Sequence, residues 1–211
     1  MNSYLNLDML HDYHTYGANL KSREIFLHNH YSDDGNPGVE YQMTNTFLKN
    51  LRCLESKSSD PITIHMNSIG GSWADGMAIY DGISMSNCHI TIISYGQAES
   101  MSSIILQSAD YRYVTENSYF MCHFGSSGVS GDYLSCQNWT KYEKHICDVM
   151  LNIYVNKCVK GKYFKDKYGT KPDKEKIKTY LYRKLKSGDW YLNAQETISY
   201  GFADRIIKKY Y

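Results

Sequence analysis

The sequence predicts an α/β fold with a largely parallel sheet, because patterns typical of strands and of helices alternate along the chain. Residues 61–67 alternate apolar and polar side chains as a strand does, a helical pattern follows at 74–83, and the apolar run 90–93 predicts the next strand. Alternation at this spacing is typical of βα units. With 211 residues and 42% hydrophobic content, the chain can bury one core, so we expect one domain.

The N-terminal part of the chain has weaker signals. Residues 1–23 mix leucine, tyrosine and polar residues without a sustained period, which predicts a partly ordered segment and not a domain. The run 25–27 predicts a first strand. After the turn-rich segment 32–38, apolar residues recur from 39 to 54 at the spacing of one helix face.

The alternation continues after residue 100. We expect a helix over 101–109 and short strands at 111–114 and 119–122. A helical pattern then covers about 132–159, which predicts a helix of more than about twenty residues that projects from a small domain. A helical period resumes at 177–185.

The C-terminal end carries signals for a last helix and a last strand. Asn193 and Glu196 have the spacing of a capping box, and Gly201 is a helix-stop signal. Residues 205–207 predict the strand. Asp204, an acid in the loop before that strand, is expected to cap a helix or form an ion pair.

Composition and terminal signals favour a soluble, cytoplasmic protein without a metal site. No stretch of about 18 apolar residues predicts a membrane span, and the N-terminus lacks the basic-then-apolar profile of a secretion signal. The six cysteines form no CxxC and no close Cys/His pair, so neither a zinc site nor a disulfide framework is predicted. Free thiols in a reducing compartment fit better.

The net charge of +1 hides one strongly basic segment. Residues 157–186 hold twelve Lys/Arg against three Asp/Glu, a local charge of +9. Lysines beside tyrosines can indicate nucleic-acid binding, but charge runs are more often solvated faces. We therefore expect a solvated helical extension and no nucleic-acid partner.

Ser100 and His123 follow predicted strands at positions where a parallel sheet brings them together. Ser100 lies in a small-residue turn at 96–101, and His123 follows the strand at 119–122. The carboxyl ends of parallel strands face one crevice, where a serine, a histidine and exposed backbone N–H groups can meet. Acyl transfer needs that set, although Gly-x-x-x-Ser alone is a weak signal. His65 and His89 are expected to be ordinary surface or hydrogen-bonded histidines.

Six motifs occur in a fixed order along the chain. They are Asn67-Ser68-Ile69-Gly70-Gly71-Ser72, Gly76-x-x-Ile79-Tyr80-Asp81, Gly96-x-Ala98-x-Ser100-Met101, Met121-x-His123, Asp189-Trp190-Tyr191-Leu192-Asn193-Ala194-x-Glu196 and Tyr200-Gly201-Phe202-Ala203-Asp204. Together they resemble the proteolytic subunit of the Clp protease, the ClpP family of serine proteases, in a divergent form such as those carried by viruses or encoded as accessory paralogues. The resemblance covers about residues 23–208.

The resemblance implies a ClpP/crotonase-like fold of repeated ββα and βα units with a projecting long helix. Residues 1–23 would form an axial-loop-like N-terminal segment, and 24–208 the serine protease domain. Within that domain, the projecting handle helix would cover about 132–159 and a basic insertion about 160–186. We expect this insertion at the end of the long helix or beside the ring surface, because a loop insertion there leaves the strand-borne residues undisturbed.

The resemblance also implies the site residues. Ser100 would be the nucleophile, His123 the general base and then acid, and Asp189 the carboxylate that orients the imidazole. The backbone N–H groups of Gly71 and Met101 would form the oxyanion hole. The residues implied to contact substrate are Gly70, Ser72, Gly125, Ser126, Ser127 and Gly128. The loop that holds the last four would pair with an extended peptide as an added strand.

The implied function is a serine endopeptidase subunit that hydrolyses peptide bonds of unfolded proteins inside a ring chamber. Self-association into heptameric rings, stacked as a tetradecamer, and an AAA+ unfoldase of the Clp type as partner follow from the same resemblance. The chain has no GxxxxGK[ST] motif, so ATP would be used only by the separate unfoldase and no cofactor is expected.

The chain departs from the family pattern at four points, and two alternatives stay open. Ile69 replaces a proline before the oxyanion turn, Glu99 replaces an alanine before the nucleophile, Phe124 replaces a polar residue, and the spacing from His123 to Asp189 exceeds the usual one. An inward Glu99 would oppose the oxyanion and perturb His123, whereas an outward one could pair with a neighbour. The alternatives are a catalytically weak or silent ring subunit that assembles with a paralogue, and a crotonase-fold acyl-CoA enzyme that needs no triad.

Overall fold

Strands and helices alternate through most of the chain, as the sequence predicts. A computed structural model describes residues 7–27 and 38–209, so the predicted N-terminal segment is described only from residue 7 and most of the turn-rich segment 32–38 lies outside the described residues. In chain order the elements are α1 Leu7–Tyr16, β1 Ala18–Asn19, β2 Glu24–Leu27, α2 Tyr41–Glu55, β3 Ile62–Ser68, α3 Trp73–Ser84, β4 Ile90–Glu99, α4 Met101–Ile105, β5 Tyr111–Thr115, β6 Tyr119–Cys122, α5 Tyr133–Cys158, α6 Lys162–Tyr168, α7 Lys174–Lys186, β7 Trp190–Asn193, α8 Ala194–Tyr200 and β8 Arg205–Ile207.

The described strands form one sheet that branches at β4. Strands β2, β3, β4, β5 and β8 are parallel neighbours in that order, and β1 adds to β2 in the antiparallel sense. The first half of β4, Thr91 to Ser94, pairs with β5. Its second half, Gln97 to Glu99, pairs with β6, which in turn pairs antiparallel with β7. The branch formed by β6 and β7 carries the residues on either side of the candidate site.

Within residues 1–23, the described part contains the helix α1. Two local expectations are wrong. The sequence at 96–99 was expected to be a turn, but these residues extend β4 because β6 supplies a second pairing partner. Val39 does not begin a helix: it precedes α2 and forms an isolated bridge with Gly71.

The predicted long helix is present as α5, with 26 residues and a length of about 39 Å. The Asp132 side chain caps its first turn by accepting from the N–H groups of Leu134 and Ser135. Its buried residues begin only at Met150. The N-terminal part of α5 therefore projects from the body of the protein.

The basic segment is not a solvated extension. Phe164 of α6 and Ile177, Leu181 and Leu185 of α7 are buried in the main core, at a spacing that places one apolar stripe of α7 inward. Lys178 of α7 forms an ion pair with Asp148 of α5 at 3.3 Å. The lysines occupy the outer face, so a high local charge is compatible with a packed helix.

The predicted structural roles of the other polar residues are confirmed. Asp204 pairs with the buried Arg112, whose Nε donates to Oδ2 at 3.0 Å. His65 is buried and lies 2.8 Å from the Tyr95 hydroxyl through Nδ1. His89 is half-exposed and lies 3.3 Å from Asp110. Asn193 and Glu196 form the capping box of α8, and Gly201 ends that helix in the left-handed conformation.

Candidate active site

Ser100 lies in a strained backbone conformation between β4 and α4. Its φ of +50° is in the region that non-glycine residues rarely adopt. The neighbouring strand holds this turn, since the Ser100 N–H donates to the Met121 carbonyl at 2.9 Å. The Ser100 carbonyl accepts from the hydroxyl of Ser103 at 2.5 Å. A sharp turn of this kind lifts a serine side chain away from both elements, as in a nucleophile elbow.

The structure brings Ser100, His123 and Asp189 together. The Ser100 Oγ lies 2.8 Å from Nε2 of His123, and Nδ1 of His123 lies 3.0 Å from Oδ1 of Asp189. With the ring proton on Nδ1, the imidazole donates to the carboxylate and accepts from the serine hydroxyl. Asp189 is about half exposed at 52%, whereas His123 is more enclosed at 25%.

The pairing of β6 with β7 places Asp189 beside His123. Cys122 is opposite Trp190 in this antiparallel pair. His123, which follows Cys122, and Asp189, which precedes Trp190, are therefore neighbours. Gly188, with φ of +120°, makes the turn between the end of α7 and Asp189. Asp189 thus follows the basic segment 157–186 in the chain, although no residue of that segment lines the cavity at Ser100.

The turn at Gly70 and Gly71 packs directly against the Ser100 turn. Gly70 has φ of +91°, and a Cβ there would lie 2.6 Å from the Ser100 Cβ and 2.7 Å from the Met101 nitrogen. Val39 fixes the turn from the other side, because its N–H donates to the Gly70 carbonyl at 2.6 Å and its carbonyl accepts from Ser72 at 2.8 Å. These bonds restrain the turn where Ile69 provides no proline ring.

Two backbone N–H groups beside Ser100 donate to no described acceptor. Neither Gly71 nor Met101 donates a hydrogen bond within the described part of the chain. Met101 is the first residue of α4, where an N–H has no partner inside the helix. Donors of this kind are available to an anion formed next to Ser100.

A cavity of about 330 Å³ opens at Ser100. Its polar lining includes most of the residues predicted for the site: Gly71, Ser72, Ser100, His123, Gly125, Ser126 and Ser127. Gly70 lies behind this surface and lines a neighbouring cavity with Val39, and Gly128 is not among the lining residues. Trp73, Met101, Ile104 and Met150 provide apolar walls, and Glu143 of α5 also contributes.

Glu99 lies on the His123 side of the sheet but outside the cavity lining. It is opposite Met121 in the β4–β6 pair, and its neighbour Ala98 is buried on the other face. Partial burial, followed by the charge of Asp189, raises the pKa of Glu99, while His123 opposes the shift. The charge of Glu99 therefore interacts with those of Asp189 and His123.

Sequence reasoning missed the residues that hold these turns. The Ser102 hydroxyl donates to that of Ser68 at 2.7 Å and ties α4 to the strand before Gly70. The Tyr154 hydroxyl lies 2.6 Å from Ser103 and links α5 to the Ser100 turn. These contacts join residues 34 and 51 positions apart, so no local pattern announces them.

Comparison with known protein families identifies the family of this chain. The sequence profile of the family described as Clp protease matches residues 8–210. This chain belongs to the Clp protease family. The family and the serine-peptidase class predicted from the motifs are thereby confirmed.

Curated Clp protease relatives match over most of their length. The ATP-dependent Clp protease proteolytic subunit of Deinococcus radiodurans is 29% identical over 198 residues, which are 92% of this chain and 85% of that protein. The ATP-dependent Clp protease proteolytic subunit 2 of Pseudomonas aeruginosa is 28% identical over 190 residues, 89% of this chain and 82% of that protein.

A solved Clp protease structure has the same fold. A point mutant of ClpP1 from Listeria monocytogenes superposes with a TM-score of 0.69 and 20% sequence identity, covering 90% of this chain and 94% of that one. The predicted ClpP/crotonase-like fold is confirmed. In the described residues, no helix is both long and apolar enough to span a membrane, and no group of three or more His, Cys, Asp or Glu side chains is arranged to hold a metal.

Proposed function

We propose that this chain is a serine endopeptidase that uses Ser100, His123 and Asp189 as its catalytic triad. The observation that carries the proposal is the unbroken chain of contacts from Ser100 Oγ through both nitrogens of His123 to Asp189, at 2.8 and 3.0 Å. Those distances are within hydrogen-bond reach for proton transfer and orientation. Serine needs this help because its hydroxyl is a weak nucleophile until a base removes the proton.

The geometry supports a two-step acyl transfer. His123 accepts the Ser100 proton as Oγ attacks the carbonyl carbon of the peptide, and the N–H groups of Gly71 and Met101 donate to the oxyanion. His123 then gives its proton to the leaving amine as the C–N bond breaks and the acyl-enzyme forms. Water, activated by the same imidazole, attacks the ester and releases the acid with Ser100 restored. No step needs a cofactor.

The substrate is proposed to be an extended polypeptide. Residues 125–131 have no regular structure and lie exposed beside the cavity, so their backbone is available to pair with a peptide strand. In keeping with its family, the chain is proposed to work in the cytoplasm in heptameric rings stacked as a tetradecamer. A separate AAA+ unfoldase of the Clp type would use the ATP and deliver unfolded chains.

The projecting part of α5 supports the ring-stacking proposal. The exposed residues on this part of the helix include Leu134, Trp139 and Tyr142. Large apolar side chains that cluster at a surface favour association with another molecule. We assign these residues to the contact between rings.

The weak or silent ring subunit remains the second candidate. Glu99 favours it, because a second carboxylate close to Asp189 and His123 disturbs the balance of charge in the triad. Ile69 no longer favours it, since hydrogen bonds to Val39 restrain the neighbouring turn. The acyl-CoA alternative is less well supported, because a crotonase-type site does not need the contacts among Ser100, His123 and Asp189.

A fluorophosphonate probe tests the proposal on the purified protein. We expect labelling of the native chain, none in Ser100→Ala, and a particle mass that corresponds to stacked rings in both. Labelling that survives Ser100→Ala would assign the nucleophile to another serine. A large ring that is never labelled would reject the active enzyme in favour of the silent subunit.

A further inference from the structure

One face of α5 forms a wall of the catalytic cavity. Glu143, Ile146, Cys147 and Met150 all line it, and their spacing of three, four and seven residues places them on the same side of the helix. Met150 is buried, Ile146 and Cys147 are partly buried, and Glu143 lies two turns further out. The wall is therefore apolar at its base and acidic about 10 Å along the helix axis.

The Glu143 carboxylate has no partner in the described part of the chain. No hydrogen bond or ion pair to it is formed there, and its effect on Cys147, one turn away, is electrostatic: after burial, Glu143 raises the pKa of that thiol. Among the described residues, no Lys, Arg or Asp lines the cavity. A negative charge in a partly enclosed site without a counter-ion favours a cation supplied by a ligand.

The walls suit the rest of a basic side chain. Trp73, Met101 and Ile104 present apolar surface between Ser100 and α5. Lysine and arginine bury their aliphatic stems on such surfaces while their charged ends reach a polar or anionic group. An acidic side chain in the same place would meet Glu143 with a like charge.

We propose that Glu143 is a specificity-determining residue, which makes lysine or arginine the preferred residue on the acyl side of the scissile bond. The inference rests on the proposed role of Ser100, because it assigns the cavity to the substrate residue that donates the attacked carbonyl. The shared chemistry is a cationic head on an aliphatic stem. Shape then decides between the two residues, and the substrate series below separates them.

Short fluorogenic peptides that differ only at this residue test the proposal. We expect kcat/KM to be highest for lysine or arginine and lower, by roughly threefold to tenfold, for ε-acetyl-lysine, which keeps the stem and loses the charge. Glu143→Gln should abolish that difference, because the amide keeps the length of the side chain and loses its charge. Glu143→Lys should reverse the order in favour of a glutamate peptide.

Asp148→Asn is the matched control, because it removes one negative charge from the same helix at a residue that does not line the cavity. It should leave the ratio of lysine to acetyl-lysine cleavage unchanged. A fluorophosphonate rate measured on each variant separates the two proposals, since it reports Ser100 without a side chain in the cavity. Normal labelling with no preference for basic peptides, or a preference unchanged in Glu143→Gln, would overturn the role of Glu143; absent labelling would overturn the proposed function instead.

Discussion

Gly70 is the residue at which the fit between the two turns of the site is tightest. Its positive φ and the close approach of Ser100 and Met101 leave no room for a side chain. The sequence shows two glycines after a strand, but not that one meets the Ser100 turn and the other the backbone of Val39. That distinction depends on residues 30 positions apart, which only the folded sheet brings together.

Gly70→Ala should slow fluorophosphonate labelling of Ser100 by at least about 100-fold, because a Cβ displaces the N–H groups proposed to form the oxyanion hole. Circular dichroism and thermal unfolding would show whether the variant is still folded. Gly131→Ala is the matched control, since a Cβ there makes only an ordinary contact at 3.5 Å. A Gly70→Ala variant labelled at the native rate would show that the two turns do not depend on this close approach.

Replacing Glu99 should stabilise the folded protein at neutral pH. Its carboxyl has a raised pKa in the folded chain, so the folded state binds more protons than the unfolded state between the two pKa values. The contribution of Glu99 to stability then falls as the pH rises through that range, leaving a net cost at neutral pH. Glu99→Gln should therefore raise the free energy of unfolding at neutral pH, by less than about 1 kcal/mol because solvent screens the group.

Thermal unfolding over a pH series checks this sign. The gain in Glu99→Gln should disappear at about pH 4 and below, where the native carboxyl is protonated in both states. Glu116→Gln removes the same charge from an exposed turn and serves as the control. A loss of stability in Glu99→Gln at neutral pH would contradict the prediction, since it would mean that the charged form is stabilised.

At the level of elements, the sequence predicted most helices and strands because their periods are local. It failed at the second half of β4, because strand β6 is what makes 96–99 extended. It also failed in α6 and α7, where charge concealed a buried stripe. Each error concerned a segment whose structure is decided by a distant partner and not by its own pattern.

Helix α7 provides the test of that interpretation. Leu181 is 1% exposed and packs in the main core, so Leu181→Ala should lower the free energy of unfolding by about 2–5 kcal/mol. Thr179→Ala, on the exposed side of the same helix, should change it by less than about 0.5 kcal/mol. Denaturant unfolding measures both changes. Equal, small effects would show that α7 is a solvated extension and does not pack in the core.

Across the whole molecule, a buried polar network joins the Ser100 turn to the C-terminal end. Gln107 donates to the Ser103 carbonyl at 2.9 Å and to the Phe202 carbonyl at 3.2 Å, and it accepts from Arg112 at 2.8 Å. Arg112 also binds the Gly201 carbonyl at 2.9 Å and Asp204. Through this network, the segment between the last helix and the last strand is connected to the Ser100 turn, which lies about 100 residues earlier in the chain.

Arg112→Met should cost about 3–5 kcal/mol, because it leaves Asp204 and the carbonyl groups without their donor. Lys162→Met, at an exposed ion pair with Asp166, should cost less than about 1 kcal/mol. Urea unfolding of the two variants gives the comparison. Similar values for both would show that the network contributes little to holding the C-terminal end.

The assembly of whole molecules depends on the projecting part of α5. Replacing Trp139 and Tyr142 by glutamate should place charge in the proposed contact between rings and reduce the particle mass by about half, because burying unpaired carboxylates costs more than the contact returns. Thr140→Glu adds charge to the same helix about 100° away from Trp139 and should leave the mass unchanged. Light scattering after size-exclusion chromatography measures the mass. Stacked rings that persist with both glutamates in place would move the contact to another surface, and smaller particles in all variants would mean that α5 tolerates no added charge.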